Sequence, residues 1–125
     1  MIARVQYYAL DCPDPQALAE FYRKLTGWEI SYSDEEWVTL NGPDAGAAGL
    51  AFQRVDGYRP PRWPSQEHPQ QAHLDLEVDD LDTAERQVLE LGARPLDVED
   101  RERSYRVYAD PAGHPFCLVR ARPSR

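Results

Sequence analysis

The chain predicts an α+β fold built from two tandem βαβββ modules, and three observations carry that prediction. A period-two apolar stretch runs directly into a capped helical stripe twice, first after Ala3 and again after Ala72. In each copy three further β-prone runs follow the helix. The two copies also lie in register at one offset of 66 residues, which sets Tyr7 on His73, Leu10 on Leu76, Asp14 on Asp80 and Leu25 on Leu91. The same offset sets Gly49-Leu50-Ala51-Phe52 on Pro115-Phe116-Cys117-Leu118. An internal repeat of this length speaks for the whole fold, where a single element speaks only for itself.

The first module is expected over residues 1–55. Ala3 to Leu10 reads as a strand, with Val5, Tyr7 and Ala9 on one face and Gln6, Tyr8 and Leu10 on the other. Asp14 is placed to cap the next helix, and Pro15 at its first position loses no hydrogen bond. Leu18, Phe21, Tyr22 and Leu25 form one helical stripe, and Gly27 is the stop. Trp28–Tyr32 and Trp37–Leu40 then read as a hairpin, followed by a strand over Gly49–Val55.

Residues 56–71 hold four prolines, Pro60, Pro61, Pro64 and Pro69, and are expected to be a loop. Tyr58 and Trp63 sit in it, either pinning the loop to the fold or touching a ligand. The second module is expected over 72–122. Leu74, Leu76 and Val78 alternate with His73, Asp75 and Glu77, Asp79 or Asp80 caps the helix, and Leu81, Ala84, Val88 and Leu91 form its stripe. Gly92 ends it, and strands follow over Arg94–Val98, Tyr105–Ala109 and Pro115–Arg120, the last two joined by the turn DPAGH.

Composition narrows the function classes. With 42% hydrophobic and 29% charged residues, 125 residues are ordinary for one globular domain. A net charge of −8 argues against nucleic acid as a partner, and Arg120, Arg122 and Arg125 do not reverse it. No apolar run is long enough for a membrane span, and MIARVQYY does not read as a signal peptide. Two cysteines, Cys12 and Cys117, make no disulfide framework, so a cytoplasmic setting with reduced thiols is expected. Phosphate loops, nucleophile elbows, HExxH and CxxC patterns are absent.

LDCPDPQALAEFYRKLTGW in the first half, with HLDLEVDDLDTAERQVLELGA and YADPAGHPFCLV in the second, resembles the vicinal oxygen chelate superfamily in its glyoxalase-like branch. The resemblance covers nearly the whole chain. It implies two βαβββ units whose curved mixed sheets enclose a cavity, a small-molecule ligand or substrate, and a homodimer. It also implies a divalent metal ion, held by histidine or glutamine and by glutamate on the first and last strands of each unit. Those four positions fall on Tyr7, Ala51, His73 and Cys117, and only His73 matches. Alanine cannot ligate, neutral tyrosine ligates poorly, and a cysteine suits a softer ion than such oxygen-rich sites hold. Gln53, two residues past Ala51 on the same face, is a substitute at the cost of moving the site by about 6–7 Å.

His73 is thus a metal ligand, an acid/base group or a polar residue of the cavity wall. Asp75 and Glu77 are not expected to complete a chelate with it, because residues two and four apart on a strand are roughly 6.5 and 13 Å apart. Cys117, between Phe116 and Leu118, reads as a small buried hydrophobe, or as a nucleophile should His73 lie beside it. His68 and His114 read as surface or turn residues. Two functions stay open. One is a lyase, isomerase or dioxygenase-type enzyme whose metal is held by His73 and unorthodox partners. The other is a metal-free protein that sequesters an antibiotic or aromatic metabolite, with Tyr7, Tyr58, Trp63 and Tyr105 as its stacking surface.

Overall fold

A computed structural model describes residues 1–121 of the chain. Arg122, Arg125 and the expected end of the second module at 122 lie outside them. The chain forms two compact units, Met1–Arg59 and a second beginning at Pro60, so the division falls within the proline-rich stretch. Among the described residues no helix is long and apolar enough to cross a membrane.

The first unit contains β1 (Tyr7–Cys12), α1 (Pro15–Thr26), β2 (Ile30–Ser33), β3 (Trp37–Leu40) and β4 (Gly49–Arg54). The second repeats the order with β5 (Leu74–Val78), α2 (Leu81–Leu91), β6 (Arg94–Asp97), β7 (Tyr105–Ala109) and β8 (Pro115–Arg120). Each makes one four-stranded mixed sheet, in the orders β1-β4-β3-β2 and β5-β8-β7-β6. The first and last strands of each unit pair in parallel and the other neighbours antiparallel. Both outer antiparallel pairs shift register at matching places, between Ile30 and Tyr32 and between Pro95 and Asp97. The two βαβββ modules expected from the repeat are present.

Local chemistry sets the helix ends. The Asp14 carboxylate accepts from the N–H groups of Gln16 and Ala17, and Asp80 does the same for Thr83, so Asp80 rather than Asp79 is the cap. Gly27 and Gly92 stop the helices at φ 76° and 112°, a region that a side chain penalises. Each helix covers one face of its own sheet. Tyr22 stacks on Phe52 in the first core, and Tyr108 on Phe116 in the second.

Strand starts depart from the sequence expectation for reasons that lie in their partners. β1 begins at Tyr7 instead of Ala3 because its partner β4 begins at Gly49, opposite Tyr7. It continues to Cys12, opposite Arg54. β2 begins at Ile30 rather than Trp28, whose N–H is taken by the Thr26 hydroxyl at 3.1 Å. In the second unit the ladder opens at Leu74, so His73 precedes the strand.

Candidate functional site

On β8 the residues alternate between two environments. Phe116 and Leu118 are fully buried in the core, while Pro115, Cys117 and Val119 line a pocket of about 440 Å³. The parallel neighbour β5 sets Asp75 directly beside Cys117. Side chains of paired residues share a face, so this carboxylate and thiol point the same way. β7 adds Tyr105 and Val107, the connection before it adds Ser104, and the proline-rich loop supplies Trp63 and Gln70.

The loop is held in place by its own backbone and by its neighbour. The N–H of Arg62 donates to the His68 carbonyl at 2.7 Å. Pro60 lies against Gly113, where an added Cβ would come within 2.8 Å of the proline. Gly113 also sits at φ 90° in a turn whose Asp110 carboxylate accepts from Ala112 and His114 N–H groups. His114 therefore serves this turn through its backbone. At the pocket rim the Arg103 guanidinium lies 4.1 Å from the centre of the Tyr105 ring and pairs with Asp97.

Three ligating side chains meet on the pocket floor. His73 Nε2 is 3.1 Å from Asp75 Oδ1, and these groups and Cys117 Sγ all lie within 4.8 Å of one another. The expectation that Asp75 is out of reach of His73 is corrected here. Spacing along a strand measures Cα positions, whereas His73 stands outside the ladder and turns its ring toward Asp75. Glu77, four residues away, takes no part in the cluster.

Cys117 is a neutral thiol in this setting. Burial raises its pKa, the nearby Asp75 charge raises it further, and the thiol donates to that carboxylate, which together bring it to about 11. A thiol so placed is a poor nucleophile at neutral pH. Coordination to a cation removes the proton outright and changes that. The donor set fits a metal: imidazole nitrogen, carboxylate oxygen and thiolate sulfur are the ligand types of a borderline-soft ion. It does not fit the four-position pattern spread over both modules, because Tyr7 and Ala51 offer no such donors.

His73, Trp63, Tyr105 and Cys117 are thus brought together in the second unit. Tyr105 lines the pocket from the same sheet face as Cys117, with its side chain partly exposed. Tyr7, Ala51 and Gln53 belong to the first unit, on the sheet face away from α1, with Ala51 buried and Gln53 exposed. Sequence reasoning missed Asp75, Gln70 and Val107. Asp75 was recoverable, since the offset of 66 that sets Cys117 on Ala51 also sets Asp75 on Ala9, its strand neighbour. Gln70, whose buried Oε1 has no hydrogen-bond partner among the described residues, lies in a loop with no periodicity to reveal it.

The opposite side of the second sheet carries a charged network. Arg106, only 3% exposed, donates to Asp82 at 2.8 Å and pairs with Glu85 at 3.5 Å. Arg101 and the Tyr108 hydroxyl also donate to Glu85. Hydrogen bonds from Arg106 and Arg101 hold the carboxyls of Asp82 and Glu85, respectively, below their ordinary values. Burial, followed by that bond to Glu85, raises the Tyr108 hydroxyl well above its own.

Residues 7–119 match the model of a family described as the glyoxalase-like domain. No curated protein matches the sequence at a significant level. Among solved structures the chain is similar to a glyoxalase/bleomycin resistance protein/dioxygenase family enzyme from Burkholderia phytofirmans. That likeness has 17% identity and a TM-score of 0.73 over 94% of this chain and 98% of the other. It is also similar to an antibiotic binding protein from Streptomyces, with 18% identity and a TM-score of 0.59 over 97% and 98%. A fosfomycin resistance protein from Mesorhizobium loti shares 14% identity and a TM-score of 0.67 over 98% and 94%. At such identities the likenesses speak for the fold.

Proposed function

The chain belongs to the glyoxalase-like domain family, and from that premise we propose that it binds a compact small molecule in the pocket of its second unit. The observation that carries this reading is the pocket's composition. Trp63, Tyr105, Val107 and Val119 give an apolar and aromatic wall, and His73, Asp75 and Cys117 give one polar corner. A volume of about 440 Å³ lies within the range of small-molecule sites. The ligand suited to it has a ring-sized apolar body and one polar group to meet that corner. Relatives named for antibiotic binding and for fosfomycin resistance make drug-like molecules reasonable occupants.

Trp63 emission tests this, in a background where Trp28 and Trp37 are replaced by Phe. Catechol, bleomycin and fosfomycin serve as probes. Saturable quenching by at least one of them, lost when Val107→Phe narrows the pocket without adding a second emitter, is the expected result. Quenching that survives Val107→Phe would place binding elsewhere and contradict the reading.

A metal-assisted enzyme is the second reading, favoured by the convergence of His73, Asp75 and Cys117. These three would hold the ion, which would act there as a Lewis acid on a substrate oxygen. His73 is then a ligand; in the metal-free reading it is the acid/base or hydrogen-bonding group. The expected state is a homodimer in a reducing cytoplasm, which sedimentation of the purified protein and thiol titration address.

A further inference from the structure

We infer that a second cavity of the second unit, which shares Trp63 with the pocket described above, binds a small aromatic oxyanion through Arg62 and Arg94. The cavity measures about 300 Å³, at the lower end of the range of small-molecule sites. Trp63 lines both cavities, and Pro60, Pro61 and Leu96 add to the apolar wall of this one. Strand register accounts for the hollow. Arg94 on β6 pairs with Ala109 on β7, so the two side chains share a face, and the single methyl group of Ala109 leaves room beside the long arginine. Gly113, also in the lining, lets Pro60 come close where a side chain would hold it off.

Both guanidiniums are unclaimed. Arg101, Arg103 and Arg106 of the same unit each hold a carboxylate, whereas among the described residues neither Arg62 nor Arg94 has a side-chain hydrogen bond or ion pair. One unpaired arginine is ordinary surface, but two that line one cavity together with an indole form a donor set. The carboxylates nearest in the chain are engaged elsewhere, Asp97 by Arg103 and Asp110 by the N–H groups of Ala112 and His114. The Arg62 backbone is also fixed, because its N–H donates to the His68 carbonyl and its carbonyl accepts from the Ser65 N–H, both at 2.7 Å. Guanidinium forks match the paired oxygens of a carboxylate or phosphate, and the indole suits a ring that carries them. The net charge of −8 repels anions at range, but screening beyond about 10 Å leaves contact with these two groups to decide. This ligand is separate from the occupant proposed for the first pocket, since His73, Asp75 and Cys117 do not line the second cavity.

Calorimetric titration of the full chain with benzoate, phenyl phosphate, benzamide and inorganic phosphate is the test. Saturable binding of benzoate or phenyl phosphate is expected, and the tighter of the two tells a carboxylate ligand from a phosphate ester. Benzamide, which has the ring without the charge, and inorganic phosphate, which has the charge without the ring, bind more weakly. Arg62→Gln and Arg94→Gln, both at exposed residues, each weaken the tighter anion by about fivefold, and the double variant binds it no better than benzamide. Circular dichroism checks that the variants fold. Amide shifts locate the anion, with Arg62, Arg94, Leu96 and Gly113 expected to move more than Asp75 and Cys117. No anion binding, equal affinity for benzamide or inorganic phosphate, undiminished binding in the double variant, or shifts centred on Asp75 and Cys117 would each overturn it. The last result would leave small-molecule binding in the first pocket standing, so the two readings fail separately.

Discussion

In the first module the N–H of Gly49 donates to the Gln6 carbonyl at 2.9 Å, which extends the parallel ladder to the very start of β1. In the second module the matching residues are Pro115 and Ala72, and a proline has no N–H to give. β5 accordingly opens at Leu74, one residue later than its counterpart, and His73 is released from the sheet. Two modules with the same strand order and the same shifted register thus end in different chemistry. One face presents Tyr7, Ala9 and Ala51, and the equivalent face presents His73, Asp75 and Cys117. A repeated backbone fixes where side chains stand, while a single backbone donor decides whether one of them is free to turn.

The cores should respond alike. Phe52→Ala and Phe116→Ala each remove a fully buried ring stacked on a tyrosine, at a cost of about 3–5 kcal/mol in urea unfolding. A loss below about 1 kcal/mol in one of them would break the equivalence of the two cores.

Acid should separate the modules. Arg106, Asp82 and Glu85 of the second correspond to Val38, Gln16 and Ala19 of the first, which carry no charge. Asp82 and Glu85 have folded-state pKa values below their unfolded ones. Their contribution to stability is full above the unfolded carboxylate range, about pH 4, and fades as pH falls through the lower folded values. Amide protection in α2 and β7, referred to the intrinsic exchange rate at each pH, is therefore expected to fall on acidification before that in α1 and β3. Glu85→Gln should reduce the difference, and simultaneous loss of protection in both modules would contradict it.

The caps should again match. Asp14→Ala and Asp80→Ala are each expected to cost about 1 kcal/mol, read from thermal unfolding. The smallest effect is the most telling about the difference between modules. Pro115→Gly restores the missing donor, and the new amide at position 115 should be as protected from exchange as that of Gly49. Net stability should move by less than about 1 kcal/mol, since the added hydrogen bond is offset by a more flexible unfolded chain. An unprotected amide there would mean that proline is not what frees His73.

Much of this was legible in the sequence. Asp14, Asp80, Gly27 and Gly92 act locally, so the helix ends follow from their neighbours alone. The offset of 66 carried the module order because both copies keep the same alternation. What escaped depends on partners distant in the chain. The start of β1 is set by Gly49 and that of β5 by Pro115, which no window around Tyr7 or His73 contains. The same dependence hid the His73–Asp75 contact, because strand spacing was applied to a residue that the strand does not hold. Arg106 was hidden too, as strand alternation gives no sign that Asp82 and Glu85 wait on the covering helix.

That ligand chemistry resides in the second module is tested most directly by amide NMR. The full chain is titrated with a library of ring-bearing fragments smaller than the pocket, and the shifted amides are mapped. The largest and most frequent shifts are expected at Trp63, His73–Asp75, Tyr105–Val107 and Phe116–Leu118. Shifts as large at the matched first-module positions Tyr7–Ala9 and Leu50–Phe52, with the second-module set unmoved, would contradict it.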